Sequence, residues 1–192
     1  MSAISTQLRN LSVRTKLLTG FGLVLVILLV ISILSYNALN SLTSRFQLVT
    51  DVSETNLLIS EARQQEKNFM LRNERKYYQQ ALDITNQAKQ LGESSLALFS
   101  TKESAALMNE LLRNLGLYQQ QLEQLASIDM QTNEAEALVI EERMTEVARA
   151  ADEAGTRSVQ NQLAILEQEM NELEWVIIIA AIIAIIVGVS AA

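Results

Sequence analysis

The chain has 192 residues, with no Pro, no Cys, no His and only six Gly. Those absences remove most turn punctuation, and with it go disulfides, thiol and imidazole catalysis and the common zinc and haem ligand sets. The net charge of −7 is uneven: residues 1–16 carry +3 through Arg9, Arg14 and Lys16, while residues 37–174 carry −10, an acidic balance that argues against a nucleic-acid partner.

Residues 1–16, with their three basic side chains, form the first segment. Leu17–Tyr36 then runs LLTGFGLVLVILLVISILSY with no charge over 20 residues. At about 1.5 Å per residue such a helix crosses a hydrocarbon core of roughly 30 Å. It is expected to be transmembrane helix 1 (17–36), with 1–16 cytoplasmic because the basic flank stays inside. A cleaved signal peptide is the rival, but the apolar run exceeds a usual signal core and the helical pattern continues past it. Residues 37–174 then lie outside, in the periplasm where there is an outer membrane. Tyr36 and Trp175 stand at the interfacial ends of the two apolar runs.

The outer segment carries four apolar rows at alternating spacings of four and three. The first is Leu48, Val52, Thr55, Ile59, Ala62, Glu66 and Phe69, broken at Asn73-Glu74. The second is Ala81, Ile84, Ala88, Leu91, Ser95 and Leu98, broken at Phe99–Glu103, where Ser100 or Thr101 is a candidate N-cap. Met108, Leu111, Leu115, Tyr118, Leu122 and Leu125 make the third, ended by Asp129–Asn133. The fourth is Ile140, Met144, Val147, Ala151, Ala154 and Ser158, shifting through Gln162 to Leu166, Met170 and Leu173.

Short breaks between such rows predict an all-α fold: an up-down-up-down antiparallel four-helix bundle, continuous with its membrane helices. Outside the membrane the first and fourth helices outrun the middle two, by about 54 and 63 Å against about 38 and 40 Å. Their surplus ends would pair in a homodimer, to which Leu39, Leu42, Phe46, Leu166, Met170 and Leu173 would contribute. The fourth helix has a weak seam of Ala151, Ala154, Gly155, Ser158 and Asn161, which reads either as plain close packing or as a helix locked less firmly than leucines would lock it, and in the second case it is the element expected to slide. It leads into Trp175–Ala192, WVIIIAAIIAIIVGVSAA, the expected transmembrane helix 2 (175–192), after which the chain reads as cut.

The polar break in the first row is the candidate site. Glu66 falls between Ala62 and Phe69 on the four-three row, and a shift of the row by one puts Gln65 there instead; a buried charge at Glu66 needs a partner, for which Arg63, Arg143 and Arg149 are candidates. One reading is that Arg63 and Arg149 face a cavity between helices and hold a carboxylate in bidentate fashion, with Lys67 and Tyr118 completing the ligand-binding set. The other is a salt-bridge cluster that fixes helix register, with Lys67 on a solvated face and Tyr118 a core aromatic. No catalytic residue, metal or cofactor is expected, and no enzymatic activity, since neither glycine-rich phosphate fingerprint nor an acid–base pair stands out.

The string EARQQEKNFMLRNERKYY between two spans resembles the sensor region of bacterial chemoreceptors, the methyl-accepting chemotaxis proteins. The resemblance is to one module of the helical bimodular type of ligand-binding domain, or to the simple four-helix-bundle type, through Ala62, Arg63, Glu66, Lys67, Phe69, Leu71, Arg72 and Tyr77 or Tyr78, and it covers about residues 40–165. Leu117–Leu122 and Met144–Arg149 are similar to the later part of such a module. The resemblance implies a multi-pass receptor of the bacterial inner membrane for small molecules, often organic acids. It would signal through a cytoplasmic domain, an adaptor and a histidine autokinase. The outer segment has length for one module, so residues that the family draws from a second module have no counterpart. A histidine kinase or diguanylate cyclase input region, or a bundle that binds nothing, are the alternatives.

Overall fold

The computed structural model describes residues 13–129 and 132–191. Most of the predicted cytoplasmic segment, two residues of the third break and Ala192 lie outside the described residues. The described chain is all-helical: α1 (Val13–Arg72), α2 (Arg75–Leu96), α3 (Lys102–Ser127) and α4 (Glu134–Ala191).

The ends of the helices follow local chemistry. After Arg72, Asn73 takes a left-handed φ of 52°, and its N–H donates to the Phe69 carbonyl at 2.7 Å. That bond closes an αL cap, and Asn tolerates the conformation better than any branched residue. At α3 the N-cap is Thr101, whose hydroxyl accepts from the Ser104 N–H at 3.1 Å. Glu103 lies in the first turn, where the helix dipole favours an acid. At α4 the Asn133 carbonyl accepts from the Ala137 N–H at 3.0 Å, beginning the helical ladder.

The chain divides into two compact units. Arg45–Ile165 is a helical bundle to which all four helices contribute. One core cluster joins Ala62 and Phe69 of α1, Ala81 of α2, Tyr118, Leu122 and Leu125 of α3, and Ala137, Ile140, Met144 and Ala148 of α4. The other joins Val52 and Ile59, Ala88, Met108, Leu111 and Leu115, and Ala151 and Ala154. All seven members of the predicted α1 row and all six of the α3 row are buried.

Two rows differ in register from the reading of the sequence. In α2 the core positions are Thr85 and Gly92, with Ile84 and Leu91 half-buried. Gly92 explains this: a Cβ there would lie 2.9 Å from Leu112 Cδ2 and 3.2 Å from Met108 Sδ, so α3 approaches the α2 backbone more closely than a leucine face allows. In α4 the buried residue is Ala148, not Val147, and Met170 is exposed.

The second unit joins the described residues of Met1–Ser44 to those of Leu166–Ala192. There α1 and α4 run side by side, with the Ser41 hydroxyl 3.5 Å from Glu169 Oε2. Ile31, Leu34 and Ser35 of α1 pack beside Leu173, Ile177 and Ala180 of α4. Among the described residues one helix is long and apolar enough to cross a membrane; its apolar window, which begins at Leu18, has a mean hydropathy of 2.7 and is nowhere buried by protein. The described side chains from Trp175 to Ile186 are also mostly exposed and apolar.

Candidate functional site

Helical spacing sends Glu66 inward with Ala62 and Phe69, and it is 1% exposed. Tyr118 of α3, equally buried, donates its phenolic O–H to Glu66 Oε2 at 2.6 Å. Burial pushes the Glu66 carboxyl above its usual value; the Tyr118 bond and the charges of Arg63 and Lys67 pull it back, while Glu141 of α4 pushes the same way as burial. Burial, then the charge of Glu66, holds the Tyr118 phenol well above its ordinary value.

Arg63 does not pair with Glu66. Its Nη2 donates to the Thr145 hydroxyl of α4 at 3.3 Å, and it forms no ion pair among the described residues. Its Nε is buried and without an acceptor. A guanidinium has five N–H donors, so a single long bond to a neutral hydroxyl leaves most of its capacity unused. Arg63 as a whole is half-buried, so part of that capacity is reachable from outside.

The remaining predicted residues are placed differently. Arg149 is exposed and lies 3.9 Å from Glu153, one helical turn on. It borders an open depression with Leu138, Glu141, Glu142, Thr145 and Glu146, all on the surface of α4. Thr145 is thus common to the Arg63 contact and the Arg149 depression. Lys67 is exposed and acts on Glu66 through its charge. In the same string, Arg72 donates to the Tyr77 hydroxyl at 2.8 Å and lies over its ring.

A second polar cluster went unread in the sequence. Ser104 of α3 donates to Asn161 Oδ1 at 2.6 Å and accepts from Gln162 Nε2 at 2.7 Å, with Thr101 Oγ1 also within 2.6 Å. The shift of spacing at Gln162 was its trace, since a long amide on a core row needs polar company. Nearby in sequence on α4, Gly155 makes room for Asn56 of α1: a Cβ there would fall 1.8 Å from Asn56 Oδ1.

Comparisons with protein-family models, curated proteins and solved structures return no match to this chain.

Proposed function

We propose that the chain is the input region of a bacterial transmembrane chemoreceptor that binds a small carboxylate outside the membrane. The observation that carries this reading is the under-used guanidinium of Arg63, buried at Nε and held only by Thr145. Carboxylates match the planar donor fork of arginine, and a neutral hydroxyl does not use it fully. The two apolar helical stretches support two membrane spans, with the bundle on the periplasmic side and the basic N-terminal segment in the cytoplasm.

The order of helices is read as up-down-up-down. In support, numbering rises from the Val52 cluster to the Phe69 cluster along α1 and α3, and falls along α2 and α4. A homodimer is part of the proposal, with the exposed side chains of Leu39, Phe46 and Met170 among those it would cover. Ligand binding would shift α4 against α1 by about 1–2 Å, the usual scale of such helix movements. The signal would pass along α4 to a cytoplasmic domain, an adaptor and an autokinase.

Two observations favour a second reading, a bundle that binds nothing: Glu66 already has its donor in Tyr118, and Arg149 already has Glu153 beside it. A thermal-shift screen of the full chain in detergent separates the two. Short organic acids, amino acids and polyamines are tested on wild type and Arg63→Ala. At 100 times Kd a ligand stabilises by about 2.7 kcal/mol, so an organic acid should raise the wild-type Tm by several degrees and leave Arg63→Ala unmoved. No shift with any compound supports the second reading.

A further inference from the structure

A carboxylate in a bundle core normally faces a cation. Glu66 has one hydrogen bond, from a neutral phenol, and no ion pair among the described residues. The charged groups that act on it are few. Arg63 and Lys67 lie on its own helix, the first turned to Thr145 and the second exposed. Tyr118 faces it from α3, and Glu141 acts on it from α4. From α2 the buried residues are Ala81, Thr85, Ala88, Gly92 and Ser95, none titratable.

We propose that Glu66 is a proton-binding site in the bundle core, so that acidification outside the membrane is itself an input to the domain. The step is one proton from solvent onto the carboxylate of Glu66. The neutral acid keeps Oε2 available to the Tyr118 hydroxyl and gains an O–H donor of its own. The repulsion with Glu141 and the desolvation of an ion both end, and the α1–α3–α4 contact tightens. This site goes beyond the carboxylate reading and does not depend on it, because Glu66 is buried whatever Arg63 holds.

The sign follows from linkage. The folded chain holds this proton more tightly than the unfolded chain, since the folded carboxyl is raised from 4.5. Its stabilisation is therefore complete below the ordinary glutamate value and is lost as pH rises through the folded value.

The test uses the full chain in detergent, with infrared difference spectra and thermal unfolding over a series from neutral to mildly acidic pH. Wild type should gain a protonated-carboxyl band at pH above the ordinary glutamate range, and Glu66→Gln should lose that band. Glu66→Gln should also melt higher than wild type at neutral pH, with the difference shrinking on acidification. If Glu66→Gln does not fold, Tyr118→Phe serves, and should move the band to higher pH. A band that persists in Glu66→Gln, stays in place in Tyr118→Phe, or is absent from wild type overturns the proposal. A failed carboxylate screen leaves these readouts untouched.

Discussion

At the scale of single residues, Tyr118 and Glu66 hold each other in place. Tyr118→Phe removes the one donor that Glu66 has and leaves a buried carboxylate unsatisfied. The expected loss is about 1–3 kcal/mol, measured by denaturant unfolding, and it should be larger at neutral than at acidic pH because protonation relieves the stranded charge. Asn73 is a second such position. Asn73→Val would force a β-branched residue to a φ of 52° and should cost about 1–2 kcal/mol, whereas Asn73→Gly should be close to neutral in the same assay. The inward position of Glu66 was legible only up to register: a four-three row fixes which side of a helix a residue faces, but a shift by one would put Gln65 there, and burial selects Glu66. Its partner was not: Tyr118 is 52 residues away, and spacing along one helix says nothing about which side chain a neighbouring helix brings opposite. Arginine was the obvious electrostatic answer, and a phenol supplied the hydrogen bond instead.

At the scale of helices, α1 and α4 meet at a position where shape decides register. Asn56 occupies the space that a side chain on Gly155 would take. Gly155→Ala should therefore cost about 1–3 kcal/mol, as overpacked sites do, and Asn56→Ala in the same chain should recover most of it. A double-mutant cycle by thermal unfolding gives the coupling, and additive effects would mean that the two residues do not meet. The rows of α1 and α3 were legible because Leu, Met and Tyr fill the α3 row and apolar residues hold five of the seven α1 positions. The α2 row slipped because Gly92 and Thr85 form the core there, and hydrophobic spacing gives no credit to a glycine chosen for close approach. Gln162 and Ser104 were missed for a related reason, since a hydrogen-bonded polar layer looks like a gap in an apolar stripe.

At the scale of the whole molecule, the proposed receptor is a membrane-anchored bundle that converts binding into helix movement. An Asp placed at Val26, within the uncharged run of α1, should cost about 2.5–3.5 kcal/mol of insertion and move the chain from the carbonate-resistant to the soluble or aggregated fraction. The extent of that run was plain in the sequence because length and absence of charge define it. The division of the chain at Arg45 and Ile165 was less plain, since α1 and α4 continue through it and no break marks it.

The movement itself can be measured directly, because the chain has no native Cys to compete with an engineered pair. Asn56→Cys combined with Gly155→Cys places two thiols at adjoining positions of α1 and α4. Disulfide formation depends steeply on such geometry. Cross-linking rates in membranes should change several-fold when a carboxylate that raises the melting temperature is added, and the change should vanish when Arg63→Ala is also present. Equal rates with and without a saturating carboxylate would contradict a receptor that signals by shifting α4 against α1.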